Sequence, residues 1–207
     1  MDIRESYDSA AEGYAEHLSD ELRGKPLDRH LLNRFAEETR DCGLVADIGC
    51  GPGHVARYLK EQGVAVYGVD LSEKMVQVAR DRHAEIAFRV EDMGSLSATD
   101  RSLAGAVLFY SIVHFAPDEL LAVFREVRRV LVEGGLALIA FHRGDGIVHT
   151  DELFGAPVSL DFRYHSSEGV IDALTQSGFT VIEQIHREPY EGAEYPSRRC
   201  YLLARAA

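Results

Sequence analysis

A doubly wound α/β fold, with a mostly parallel sheet and helices on both faces, is what three features of the sequence predict. Apolar runs and helical patterns alternate from residue 44 onward, glycines cluster where the first run meets its helix, and the chain closes on two apolar runs with no helix between them. The 207 residues, 46% of them hydrophobic, can bury one sizeable core, and no shift of composition marks a boundary, so one domain over 1–207 is expected.

Apolar residues at Ile3, Tyr7, Ala11, Tyr14 and Leu18 recur at three and four and predict an amphipathic first helix. Pro26 opens a second, with Leu31 and Phe35 on one stripe and Cys42-Gly43 at its close. The run LVADI is then a first strand, VAVYGVD a second, IAFRVED a third and LAGAVLFY a fourth. Between the second and third, SEKMVQVARDRH reads as a helix capped by Ser72. A helix is expected to start at Pro117, Asp118 and Glu119, to carry the stripe Leu120, Phe124, Val127 and Leu131, and to end at Gly134-Gly135 before the strand LALIAFH. Strands separated by helices imply right-handed crossovers and parallel pairing. GFTVIEQI and CYLLARA, joined by REPYEGAEYPSRR, predict an antiparallel hairpin at one edge.

The glycine-rich stretch DIGCGPG places Gly49, Gly51 and Gly53 between strand and helix. The backbone there can turn tightly, approach a ligand closely and present free N–H groups at a helix N-terminus. A nucleotide-like or carboxylate-bearing ligand follows, with a dinucleotide and S-adenosylmethionine as the candidates. The dinucleotide fingerprint G-x-G-x-x-G fails from Gly49, because residue 54 is His; from Gly51 only the looser form ending in Ala56 fits. Asp70 ends the second strand, where a carboxylate accepts both ribose hydroxyls of either candidate. Asp92 ends the third, where it can take the adenine amine while Met93 offers its backbone N–H.

VADIGCGPG, VYGVDLSEKM, VEDM, LAGAVLFYSIVHF, VLVEGGLALIAF and the N-terminal YDSAAEGYAEHL together resemble the class I S-adenosylmethionine-dependent methyltransferases over nearly the whole chain. The resemblance implies a seven-stranded sheet of order 3-2-1-4-5-7-6 with strand 7 antiparallel, in keeping with the terminal hairpin. It also implies S-adenosylmethionine as cofactor, with S-adenosylhomocysteine as product. Asp47, Gly49, Cys50, Gly51 and Gly53 would surround the methionine moiety, Asp70 and Leu71 the ribose, and Asp92 and Met93 the adenine, with Phe109 beside them. Helices within 1–42, carrying Tyr7 and Tyr14, would close over the cofactor. Leu103-Ala104 departs from the Phe-Asp pair common in relatives at the start of strand 4.

Phe109, Tyr110 and His114 follow the fourth strand and His142 and Arg143 the fifth, so they are expected to border the acceptor. Tyr110, His114, His142 and Arg143 are the candidate acceptor contacts. His114 and His142 are also the candidate bases, titrating near 6.5. The alternating stretch PVSLDFRYH predicts an extra half-buried strand within a cap over 142–165. Scattered histidines predict no metal site, and three scattered cysteines point to reduced thiols. A formal charge of −12 and the absence of an Asn/Asp-Pro-Pro-aromatic run after strand 4 argue against nucleic acid, membrane surfaces and amide targets. With no apolar leader or spanning segment in view, a cytoplasmic location is expected. The expectation is methyl transfer to a small molecule, tilted towards oxygen over nitrogen; an NAD-dependent oxidoreductase and a non-catalytic S-adenosylmethionine-binding module remain the alternatives.

Overall fold

The structure, a computed structural model, describes residues 1–207. Two helices lead the chain, α1 (Ile3–Leu18) and α2 (Pro26–Thr39). There follow β1 (Val45–Ile48), α3 (His54–Glu61), β2 (Val66–Asp70), α4 (Glu73–Arg82), β3 (Ala87–Val90) and β4 (Leu103–Phe109). Then come α5 (Leu120–Val130), β5 (Leu131–His142), β6 (Ile147–Leu153), β7 (Ala156–Arg163), α6 (Ser167–Gln176), β8 (Phe179–Arg187) and β9 (Arg199–Ala206). Seven strands form one sheet of order β3-β2-β1-β4-β5-β9-β8, in which β9 runs antiparallel to both neighbours and the other adjacent pairs are parallel. With the β6–β7 hairpin set aside as an insertion, this is the expected order, and the terminal hairpin is β8–β9.

Period-two alternation along the strands fills both faces. Ala137, Ile139 and Phe141 of β5 point with Leu108 and Leu202 towards Phe124 and Val127 of α5 and Leu174 of α6. Leu136, Leu138 and Ala140 point the other way, with Val107 and Leu203, towards Leu32 and Phe35 of α2 and Leu59 of α3. Such two-sided burial is what makes parallel strands read as continuous apolar runs.

Two boundaries differ from expectation. Pro117–Glu119 form a turn ahead of α5, and Leu131 is already sheet, pairing with Leu103. Gly134-Gly135 therefore do not end a helix. They lie in a register shift between the Leu103↔Leu131 and Gly105↔Leu136 pairs, where Gly134 takes φ +76°. The fifth strand consequently starts five residues before LALIAFH.

α1 starts with a capping box: the Asp2 side chain accepts from Glu5 N–H and the Glu5 side chain accepts from Asp2 N–H, an arrangement that stabilises a helix start by about 1 kcal/mol. The helix packs on α4 and β7. Asp8 extends this contact, accepting from Ser72 Oγ (2.6 Å) and Lys74 N (3.0 Å) at the start of α4. α1 is thus fastened over the carboxyl ends of the strands. No helix is long and apolar enough to cross a membrane.

Candidate functional site

The turn after β1 is built on positive φ: Gly49 at +73°, Gly51 at +51° and Gly53 at +83°. In this path Gly51 N–H donates to Asp70 Oδ2 (2.8 Å), while Asp70 Oδ1 accepts from Ser72 N–H (2.9 Å). Burial raises the Asp70 pKa, and the backbone donors work against that rise. A Cβ on Gly51 would meet protein no nearer than Tyr14 Cε1, at 3.8 Å, so its bare face is open to a ligand.

A cavity of about 740 Å³ lies over this edge of the sheet. Tyr14, Gly49, Cys50, Gly51, Asp70 and Leu71 line it, as do Asp92, Met93 and Phe109. A carboxylate flanked by backbone donors, a glycine face without a side chain and a further acid on the next strand fit a nucleoside with a ribose diol and an adenine amine. Tyr110, His114 and His142 line the same cavity. So do Phe154 of the β6–β7 turn and Phe162 of β7, while the β7 alternation predicted from PVSLDFRYH places Val158 and Leu160 inside and Ser159 and Asp161 outside. β6 was not foreseen; it is mostly exposed and pairs with β7 along its length.

Three expected residues lie outside the cavity. Asp47 is fully buried, and its Oδ2 accepts Ala56 N–H (2.9 Å); it caps α3, a task that Gly53 at the N-cap has no side chain to perform. Burial pushes its carboxyl up to about 7. Gly53 faces inward, where a Cβ would sit 2.7 Å from Phe88 Cζ. Arg143 follows His142 on the opposite side of the pleat, with its N–H donating to Arg198 O (2.8 Å).

The two histidines are not equivalent. His114 sits on a short 3₁₀ turn after β4, with Nδ1 2.9 Å from Asp161 O and Nε2 2.8 Å from Tyr7 Oη. A carbonyl only accepts, so Nδ1 carries the proton and Nε2 accepts from the Tyr7 hydroxyl. Burial lowers the His114 pKa, and the Asp161 carbonyl partly opposes the shift. Burial likewise raises Tyr7 well above the usual phenol range. His142 lies between Tyr110 and Tyr164, with Nδ1 2.6 Å from Ser197 Oγ. Burial first, then Arg199 and Lys25, hold its pKa down to about 3. An imidazole so weakly basic is a poor proton acceptor, which sets His142 apart from His114.

Charged residues form the far wall, which sequence reasoning missed. Lys25, at the start of α2, places Nζ 2.6 Å from Glu21 Oε2 and 3.9 Å from Glu194 Oε2. Glu21 also meets His54 Nε2 (2.9 Å); burial would raise its pKa, but His54 and Lys25 bring it to about 2. The β8–β9 connection contributes Glu194 and Tyr195, and β9 contributes Arg199, only 2% exposed. Behind them Asp28, fully buried, accepts from Arg187 Nη2 (3.0 Å) and Tyr201 Oη (2.9 Å).

A family model described as a methyltransferase domain matches residues 45–135. The chain is 34% identical over 96 residues to a malonyl-[acyl-carrier protein] O-methyltransferase of Salmonella typhimurium, covering 45% of this chain and 36% of that protein. It is 33% identical over 130 residues to a probable tRNA methyltransferase 9B of Bos taurus, covering 62% and 27% respectively. These matches span well under half the length of either relative. Among solved structures, a Burkholderia thailandensis 1,6-didemethyltoxoflavin-N1-methyltransferase with bound 1,6-didemethyltoxoflavin and S-adenosylhomocysteine superposes with a TM-score of 0.74. That superposition covers 99% of this chain and 87% of the other at 20% identity.

Proposed function

We propose that this chain is a class I S-adenosylmethionine-dependent methyltransferase that methylates a hydroxyl of a small molecule, a reading supported by its fold and by its match over residues 45–135. The observation that carries the reading is the single roofed cavity that joins the Gly51–Asp70 turn to the Tyr7–His114 pair. Asp70 would hold the ribose, and Asp92 and Met93 the adenine. Tyr14 and α1 would close over them. S-adenosylmethionine, when bound, supplies an electrophilic sulfonium methyl.

For this chain, the work is then alignment and removal of one proton. The acceptor hydroxyl would donate to Tyr7 Oη as the Tyr7 proton passes to His114 Nε2. The resulting imidazolium is steadied through Nδ1–H on the Asp161 carbonyl and later loses its proton to water. Such a base contributes about 10² to 10⁴ in rate. Because burial lowers the His114 pKa, the rate should rise with pH at a midpoint below 6.5. A pair built to accept a proton favours oxygen, since a neutral amine needs only alignment and desolvation.

A small acceptor is favoured over a polynucleotide by the roof that α1 and the β6–β7 hairpin make, and by a net charge of −12. The test offers tritiated-methyl S-adenosylmethionine together with a small-metabolite extract and, separately, bulk RNA. Label in the low-mass fraction is expected, with kcat falling about 10²- to 10⁴-fold in Tyr7→Phe and His114→Ala. Label in RNA alone would overturn the small-molecule reading. Binding of S-adenosylhomocysteine without transfer to any acceptor would leave a non-catalytic module, and NADH binding in its place an oxidoreductase.

A further inference from the structure

We infer that the end of the cavity walled by Lys25, Tyr110, His142 and Arg199 is a subsite for the carboxylate of the acceptor, so that the substrate is a flat hydroxy acid anchored there through its acid group. This rests on the methyltransferase reading for what lies at the other end of the cavity; the subsite itself follows from the wall's own chemistry.

Formal charge there is balanced, with Lys25, Arg187 and Arg199 set against Glu21, Asp28 and Glu194. The unused hydrogen-bonding capacity is not balanced. Glu194 accepts from Arg187 through both oxygens and from Tyr190 N–H (2.6 Å), and it is ion-paired with Arg199 Nη2 at 3.3 Å. Asp28 is taken by Arg187 and Tyr201, and Glu21 by Lys25 and His54. These carboxylates have little left to offer a ligand. The Lys25 ammonium has three N–H donors and only Glu21 within hydrogen-bond distance. What this wall lacks is therefore an acceptor of hydrogen bonds, and the strongest is an anionic oxygen.

Both cations border the ring of Tyr110 at the cavity wall. The Lys25 ammonium lies 5.2 Å and the Arg199 guanidinium 5.6 Å from its centroid, and the residue is held at φ +54°, a left-handed conformation that aromatic residues rarely adopt. A costly backbone at a cavity wall marks a position fixed for a purpose. His142 reports the field beside it. After burial, Arg199 and Lys25 are the largest influences on it, both disfavouring a positive charge and outweighing Glu194 and Glu21. The Arg199 and Lys25 charges, which add to the larger effect of burial on His142, repel an ammonium ligand and attract a carboxylate.

Shape limits the body attached to that carboxylate. His142 and Tyr164 are near parallel, at 26° and 5.6 Å between centroids, and the His142 and Tyr110 rings are 5.2 Å apart. At these spacings the rings pack on one another, with Tyr110 tilted by 43° to His142, and together they offer the cavity an aromatic wall against which a conjugated plate can lie.

The experiment titrates benzoate and cinnamate, their uncharged amides and benzylamine into the full chain by calorimetry, with and without saturating S-adenosylhomocysteine. The acids should bind at least about 10-fold more tightly than the amides in both states, as a charge-assisted contact requires, with benzylamine weakest. Lys25→Met should erase the acid-over-amide ratio and Lys25→Arg retain it. If Lys25→Met fails to fold, Lys25→Gln, which can still donate to Glu21, takes its place: loss of the ratio supports the inference and an intact ratio overturns it. A ratio near one in the parent, or an intact ratio in folded Lys25→Met, overturns the inference. Failure to bind S-adenosylhomocysteine while the acid preference persists would overturn the cofactor reading and leave the subsite standing.

Discussion

Acidification should destabilise this protein through His142, by an amount the structure allows to be worked out. In the unfolded chain the imidazole titrates near 6.5; in the fold, burial and then Arg199 and Lys25 hold it to about 3. The folded value is depressed, so between pH 6.5 and 3 the unfolded state binds the extra proton and stability rises with pH. The stabilisation is therefore fully present above 6.5 and drains away as pH falls. Integrated from pH 7 to pH 5, one such group costs about 2 kcal/mol. Other groups titrate in the same range; Asp47, raised to about 7, acts in the opposite direction. Comparison with His142→Asn, which keeps a partner for Ser197 Oγ, cancels them because they occur in both chains. Urea unfolding at pH 7, 6 and 5 at fixed ionic strength is the assay. The parent should lose about 2 kcal/mol more than the variant across that range. Parallel lines for the two proteins would show that the imidazole is not held neutral.

Asp70→Ala removes the proposed acceptor of two ribose hydrogen bonds and should weaken S-adenosylhomocysteine binding by roughly 30- to 1000-fold in calorimetry; unchanged affinity would remove Asp70 from the site. Gly51→Ala meets no protein atom closer than 3.8 Å, so unfolding should register only about 1 kcal/mol of φ strain while cofactor binding is lost; retained binding would show that no ligand approaches there. Gly53→Ala does the reverse. Its Cβ would lie 2.7 Å from Phe88 and 3.1 Å from His83, so a loss of about 2 to 4 kcal/mol in urea unfolding is expected, and a loss under about 1 would mean that the loop yields freely.

Two kinds of signal in this sequence carry different reach. The strands, the terminal hairpin and the Gly51–Asp70 turn were legible because each depends on local pattern: apolar runs of strand length, glycines at positive φ, an acid at a strand's end; the strand order came only with the family resemblance. β6 was not, because IVHTDEL lies mostly exposed and lacks alternation; what fixes it is the tight turn at Phe154-Gly155, with φ of +51° and +81°, and phenylalanine is an unusual residue there. Asp47 misled for a related reason. An acid at the end of β1 reads as a ligand contact, yet its partner, Ala56 N–H, is set by the helix that the glycines make possible. The far wall was least visible. Lys25 and Glu194 lie 169 positions apart in sequence, and each reads locally as an ordinary surface charge. Only folding brings α2, the β8–β9 connection and β9 together, and only there do the carboxylates become spent while Lys25 keeps donors to spare. A chain with twelve excess negative charges thereby presents a cavity end that favours an anion. Net charge governs approach from a distance, screened over roughly 10 Å, whereas recognition inside a roofed cavity is decided by the few groups that water does not reach.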